Sequence, residues 1–356
     1  MKILHVIDQL VIGGAEVLTI NTVNSLSNNP DFEVHLLVTR QEGPLKQSID
    51  SKVKYAFLQK RKRFDWQFYK QLVQYIKQNN IEIIHTHNTS YFSCALVKML
   101  FVKKVKLIWH NHTGAYVNLE GMKLHVLKFL SKYFDVIINV NTDLNQWSQE
   151  KLATKQHHVL NNFARFSNQD KKTRLQGVAG KRMVCLAGLR PVKDHINLIH
   201  AFDTFLKDFP EWTLHLIGKN YEDDYAGQIV ELILEKQLRG NVFFYDLRKD
   251  IKNILSQATI GVLVSKKEGF PISVLEYGLA KLPVILTDVG SNKKIVQNEK
   301  AIIPPSNYEA LLQCMKDMAS NEALRNEIAQ DLYQSVVANF SEEIYISTLK
   351  GIYSNV

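Results

Sequence analysis

The chain has 356 residues, of which 46% are hydrophobic and 22% charged, with a net charge of +9 and three cysteines. That length suggests two domains, each able to bury its own core, and the composition excludes wholesale disorder. Cys94, Cys185 and Cys314 are odd in number and scattered, which argues against a disulfide framework. No apolar run approaches the roughly 20 residues that cross a bilayer. MKILHVIDQL, with Asp8 early, does not read as a signal peptide, so a soluble protein of a reducing compartment is expected.

In chain order, apolar β-branched runs at 2–7, 33–38, 81–85, 105–109 and 136–140 read as strands. Segments 14–28, 66–79, 90–101 and 119–134 between them carry the three- and four-residue apolar spacing of helices. A polar stretch at 161–181 then breaks the pattern. Strands recur at 182–187, 213–217, 241–245, 259–264 and 283–287, with helical segments at 195–208, 224–237, 249–257 and 273–280. A last helix runs from Ser341 to Ser354, with Ser341 as its cap. The alternation predicts an α/β protein of two Rossmann-like doubly wound domains facing a cleft. We assign residues 1–165 to an N-terminal domain, 166–181 to a linker, and 182–338 to a C-terminal domain. Residues 339–356 form a helix expected to pack back on the first domain. The charge divides unevenly: residues 1–170 hold 21 Lys+Arg against 13 Asp+Glu, and the remainder 23 against 22. An anionic membrane, a nucleic acid or a phosphate-bearing substrate would each suit that excess.

The sequence lacks G-x-G-x-x-G, the P-loop, C-x-x-C, H-E-x-x-H and any Asp-x-Asp, so a diphosphate must be held by backbone amides, Arg and Lys. Three segments supply these. Gly13 and Gly14 follow the first strand and open a helix, allowing close backbone approach. Arg190 and Lys193, just past the first strand of the second half, can neutralise a diphosphate leaving group. In SKKEGFPISVLEYG, Glu268 and Gly269 form a turn, and Ile272, Ser273 and Val274 present helix-opening amides. Glu276 stands inside that helix, where its carboxylate can accept from both hydroxyls of a ribose.

The Glu268-Gly269-Phe270 to Glu276 spacing resembles the Glu-x7-Glu signature of retaining glycosyltransferase family 4, of the GT-B fold. Gly278, Pro283, Asp288 and Gly290 continue the resemblance. GGAE at 13–16, H-x-H at 85–87 and L-R-P-V-K at 189–193 extend it over essentially the whole chain, in the manner of bacterial capsular and exopolysaccharide enzymes. The resemblance implies that Arg190 and Lys193 hold the donor diphosphate, that Glu276 holds the ribose and that Glu268 lies beside the transferred sugar. It also implies that Gly14 closes over the phosphates and that Gly269, Phe270 and Pro271 line the donor. Two positions depart from it: Asp194 stands where Gly is usual, and Pro271 removes a backbone donor.

His110 and His112 end the fourth strand on one face. The family places one catalytic histidine here, and the following Thr favours His112. A zinc site of His85, His87, His110 and His112 is chemically conceivable, but the resemblance accounts for both pairs without a metal, and none is expected. Lys123, Lys128 and Lys132 fall on one stripe among apolar residues. With Lys60–Arg63, Lys98, Lys103, Lys104, Lys106 and His87 they are expected to form an acceptor- or membrane-facing surface. No nucleic-acid module is recognisable.

The resulting expectation is a cytoplasmic glycosyltransferase, docked peripherally on the inner face of the cell membrane. It needs no cofactor, takes a UDP- or GDP-sugar as co-substrate, and uses a glycan or lipid-linked acceptor. An epimerase on the same fold, or a non-catalytic sugar-nucleotide- or membrane-binding protein, is the alternative.

Overall fold

The computed structural model describes residues 1–113, 116, 117, 119–166 and 171–356. These form two units, Met1–Asn162 with Glu342–Val356, and Phe163–Ser341.

The first unit runs β1 (Lys2–Gln9), α1 (Gly14–Ser27), β2 (Glu33–Gln41), β3 (Lys54–Phe57), α2 (Trp66–Gln78) and β4 (Ile83–His87). It continues through α3 (Tyr91–Leu100), β5 (Lys106–Asn111), α4 (Gly121–Leu130), β6 (Val136–Asn139), α5 (Thr142–Lys151) and β7 (Gln156–Val159). The sheet is parallel, in the order β3-β2-β1-β4-β5-β6-β7. Its central strands are covered on both faces, which is why Ile3, Leu4, Val6 and Ile7 of β1 are all buried in one continuous run. Helix α2 shows how the covering layer is specified. Asp65 accepts from the Phe68 amide at 3.2 Å to cap it, and Phe68, Leu72 and Ile76 recur every four residues on its buried face. Burying such side chains is worth about 1.5–3 kcal/mol each.

The second unit contains β8 (Arg182–Leu186), α6 (His195–Phe205), β9 (Thr213–Ile217), α7 (Asp224–Glu235), β10 (Val242–Tyr245), α8 (Ile251–Leu255) and β11 (Ile260–Leu263). It is completed by α9 (Ile272–Leu279), β12 (Val284–Thr287), α10 (Asn292–Ile295), β13 (Ile302–Ile303), α11 (Tyr308–Ser320) and α12 (Glu322–Asn339). Its parallel order is β10-β9-β8-β11-β12-β13. Helix α12 crosses α9 so closely that a Cβ on Gly278 would stand 2.6 Å from Val336.

The last helix, α13 (Glu342–Ser354), belongs to the first unit, where Ser25 donates to Glu342 at 2.5 Å and Tyr353 is buried beneath the sheet. Of the segment 166–181, residues 167–170 lie outside the described residues. Its later part is anchored: Asp250 accepts from the Thr173 amide and hydroxyl at 2.7 and 2.8 Å, and Leu175 is buried.

Both sheets reverse strand order once, between β1 and β4 and between β8 and β11. Loops leaving the carboxyl ends of strands at such a reversal are splayed apart, which is where open α/β sheets bind ligands.

Candidate functional site

At the switch point of the second unit, the loop after β8 meets the loop after β11. Arg190 and the turn Pro191–Lys193 follow β8, and the Lys266 amide donates to the Val192 carbonyl at 2.8 Å to lock the two loops together. Lys193 Nζ reaches Glu268 Oε1 at 2.6 Å, and Ser265 Oγ donates to the same oxygen at 2.6 Å. Glu268 is therefore aimed by two donors, with its side chain only 9% exposed.

Asp194, at the position where Gly would be usual, keeps a glycine-like backbone, with φ 54 and ψ 40. An L-residue held left-handed carries a cost of about 1–2 kcal/mol. Here the carboxylate is tied down by Lys266 Nζ at 3.1 Å and by the Ser306 hydroxyl at 3.1 Å. The substitution thus preserves the hand of the loop.

The Arg190 guanidinium stacks over the Tyr221 ring, 4.6 Å from its centroid, and donates to the Tyr221 hydroxyl. Lys219 lies over the same ring at 5.0 Å. Tyr221, in the loop after β9, thus gathers two cations about one aromatic ring. Neither it nor Lys219 was singled out in the sequence, where the only local signal is Gly218 ending the strand. A Cβ there would meet the Ala187 carbonyl at 2.3 Å, so the β8 and β9 ends approach as closely as backbone allows.

Helix α9 starts at Ile272 with Pro271 as its N-cap, and Ile272, Ser273 and Val274 form its first turn. The amides of such a turn have no partner within the helix and favour anions. Phe270 is buried edge-to-face on Phe340 at 5.1 Å, so its side chain anchors the loop and only its backbone is offered to a ligand. Gly290, with φ +55, packs under the same turn: its Cβ would lie 2.4 Å from the Glu268 carbonyl. Glu276 sits one turn into α9, half-buried, and desolvation pushes its carboxyl up to about 7. A carboxyl poised there changes charge over the physiological range, as functional carboxyls often do.

In the first unit, Gly13 caps α1 after β1, with extended backbone and Gly14 as first helical residue. Register sets His5 beside His85 and His87 beside His110. His112 stacks on His110 with ring centroids 3.9 Å apart. Both candidate histidines therefore belong to one buried array. Burial holds every ring in it neutral, with His5 and His112 pushed down to about 3. His87 was expected on the acceptor or membrane surface. It is 1% exposed instead, because β4 is an interior strand, and it bonds His5 and His112. The triads His5–His85–His87 and His87–His110–His112 each bring nitrogens within 4.8 Å. Within these triads His5 Nδ1 and His87 Nε2 face each other at 3.0 Å, and His87 Nδ1 and His112 Nε2 at 2.9 Å, as hydrogen-bonded pairs.

The lysine surface is also smaller than expected. Lys123, Lys128 and Lys132 are exposed on α4 and the turn after it, which ends the helix earlier than the expected 134. Lys60 points inward to Ser93 at 2.6 Å among Phe68, Tyr69 and Phe92, and Lys98 is buried against Asp135. Phe64 and Trp66, by contrast, stand 64% and 73% exposed beside Arg61, Lys62 and Arg63. No helix among the described residues is long and apolar enough to cross a membrane.

Family comparison matches residues 12–163 to Glycosyltransferase Family 4 and 166–335 to Glycosyl transferases group 1. The chain is 23% identical over 308 residues to the capsular polysaccharide biosynthesis glycosyltransferase CapH of Staphylococcus aureus, covering 83% of this chain and 84% of that one. It is 20% identical to the UDP-Gal:alpha-D-GlcNAc-diphosphoundecaprenol alpha-1,3-galactosyltransferase of Escherichia coli, over 99% and 96% of the two chains. Among solved structures, HepE of Anabaena in complex with UDP and glucose superposes with a TM-score of 0.84 at 17% identity over 100% of both chains. Two doubly wound parallel units in succession are the GT-B architecture. The chain is a GT-B glycosyltransferase related to the bacterial enzymes of capsular and exopolysaccharide biosynthesis.

Proposed function

We propose that this glycosyltransferase moves a sugar from a UDP- or GDP-sugar to a hydroxyl of a glycan or lipid-linked acceptor, retaining the anomeric configuration, during assembly of a bacterial surface polysaccharide. The observation that supports the reading is the Lys193–Glu268 pair where the loops after β8 and β11 meet, with Arg190 braced by Tyr221 on the first loop and Glu276 one turn into α9, the helix after the second. Arg190 and Lys193 offset the charge that grows on the departing diphosphate. Such preorganised electrostatic groups act where charge develops in the transition state and require no metal for it. The first-turn amides of α9 take phosphate oxygens, and Glu276, once ionised, accepts from the ribose hydroxyls. Glu268 then faces the sugar, and His110 or His112 is the candidate catalytic histidine of the first unit. HepE, solved with UDP and with UDP-glucose, and the Escherichia coli relative, named for UDP-Gal and a lipid diphosphate, support this donor and acceptor class.

Exposed Lys123, Lys128 and Lys132, with Met122 and Phe129 protruding beside them, suit docking on the anionic inner face of a cytoplasmic membrane. A thermal-shift screen against UDP-, GDP-, ADP- and CMP-sugars identifies the donor, because a ligand of the native state stabilises it. NMR of the product then reads its anomer. Inversion would end the retaining mechanism, and donor conversion without any acceptor would mark an epimerase instead.

A further inference from the structure

Helix α13 carries the Tyr353 hydroxyl beneath the first sheet, on a side chain that is 1% exposed. Its oxygen lies 2.6 Å from His85 Nδ1 and 3.3 Å from His5 Nε2. Two files of imidazoles lead from it toward the carboxyl end of the sheet. In one, His85 Nε2 faces His110 Nδ1 at 3.2 Å. In the other, His5 Nδ1 faces His87 Nε2 at 3.0 Å, and His87 Nδ1 faces His112 Nε2 at 2.9 Å. The files end on His110 Nε2 and His112 Nδ1, both buried and without a hydrogen-bond partner among the described residues.

A neutral imidazole has one N–H and one lone pair, so each ring in a file transmits its polarity to the next. Burial keeps all five rings neutral and the Tyr353 phenol protonated. The only choice left is where the hydroxyl proton points. Hydroxyl donors sit at about 2.5–3.0 Å and N–H donors at about 2.7–3.2 Å. The 2.6 Å contact to His85 lies below the N–H range and fits a donating hydroxyl, which leaves the longer 3.3 Å contact, just past that range, to a weak N–H donor on His5. With Tyr353 donating to His85, that ring is protonated at Nε2, donates to His110 Nδ1, and leaves His110 with an outward N–H. With Tyr353 accepting from His5, the proton of His87 sits on Nε2, as does that of His112, whose Nδ1 is left bare. One hydroxyl therefore gives all five rings the same tautomer, and reversing it would reverse all five.

We infer that Tyr353 is a positioning residue for the transfer site: it fixes the tautomers of both histidine files, so that His110 presents a donor and His112 an acceptor side by side. Such a pair complements a hydroxyl, which gives one hydrogen bond and takes another. The kinetic half of this inference rests on the transferase reading above; the tautomer half does not.

Nitrogen NMR of the full chain labelled at its histidine ring nitrogens tests it, with wild type and Tyr353→Phe compared. In the wild type, His5, His85, His87, His110 and His112 should all carry the proton on Nε2. Any of the five protonated at Nδ1, singly or in a mixture, overturns the assignment without recourse to a variant. Tyr353→Phe keeps the ring that packs under the sheet and removes the hydroxyl. All five rings should then show mixed tautomers, and kcat should fall about tenfold, as for one lost hydrogen bond, with little change in donor KM. Unchanged tautomers in that variant would remove Tyr353 as their source. Uniform Nε2 protonation without sugar transfer would leave the device standing and end the transferase reading. Normal transfer with mixed wild-type tautomers would do the reverse.

Discussion

Replacing Glu276 by Gln should stabilise the protein while weakening its grip on the donor. The wild-type carboxyl titrates near 7 because burial disfavours its charged form, whereas in the unfolded chain it titrates near 4.5. Between those values the folded state holds a proton that the unfolded state has lost. Stability therefore declines as pH rises from about 4.5 to about 7, and above that the penalty is complete. A shift of this size corresponds to at most ~3 kcal/mol, and the half-buried setting of the group reduces this to roughly 2. Gln has the same shape and no proton to lose. Urea midpoints of the two proteins should coincide near pH 4 and separate with rising pH. By pH 8 the variant should lead by about 2 kcal/mol, or some 4–8 °C in Tm for a unit of this size. Donor affinity should run the other way. Only the ionised carboxylate accepts from both ribose hydroxyls, so at pH 6, one unit below the group's midpoint, wild-type affinity for a nucleotide sugar should be about tenfold weaker than at pH 8. The variant should bind weakly at both. Stability curves that stay parallel from pH 5 to 8.5 would refute the burial argument, and a pH-dependent affinity surviving in Glu276→Gln would remove the residue from the donor site.

Arg190→Ala should lower kcat by about two to three orders of magnitude with the circular dichroism unchanged, since it deletes a placed cation from the departing diphosphate; near-normal turnover would sink the assignment. Gly290→Ala adds a Cβ 2.4 Å from the Glu268 carbonyl at a φ of +55. It should destabilise by about 1–2 kcal/mol from the left-handed backbone alone and reduce activity further by shifting Glu268, read as a lower urea midpoint and a lower kcat. Changing Lys123, Lys128 and Lys132 together to Gln should weaken sedimentation with phosphatidylglycerol vesicles at low salt by at least tenfold, at about 1 kcal/mol per cation; unchanged binding would leave those lysines as solvated surface.

The strands that fill the middle of each sheet were legible because burial on both faces leaves an unbroken apolar run, as in Val284–Thr287. Of the four edge strands only β10 was legible, read at 241–245. KYAF of β3 and QHHV of β7 are half-buried and carry mixed residues, because only one neighbour and part of one face constrain them. Helix α5, TDLNQWSQEK, was missed for a related reason: Leu144 and Trp147 are its only buried apolar residues, and the Asn141 cap is its clearest signal. Helices α11 and α12 are longer, and α12 buries Ile328, Leu332 and Val336 at a spacing of four on one face.

The site divides the same way between local and distant causes. Arg190, Lys193 and Glu268 could be read because each lies directly after a strand and the family spacing is sequential. Tyr221 could not, because its partnership with Arg190 depends on β9 lying beside β8 in the sheet, which no spacing within either loop encodes. The histidines show this most fully. H-x-H at 85–87 and at 110–112 reads as strand alternation and places each pair on one face. Joining the pairs requires β4 to lie beside β5 in a given register, adding His5 requires β1 on the other side, and closing the array requires Tyr353 from a helix 268 residues after His85. Each ring alone is an unremarkable buried histidine. The polarity that the array imposes on His110 and His112 arises only once all four elements are assembled, so it belongs to the tertiary fold and not to any motif within it.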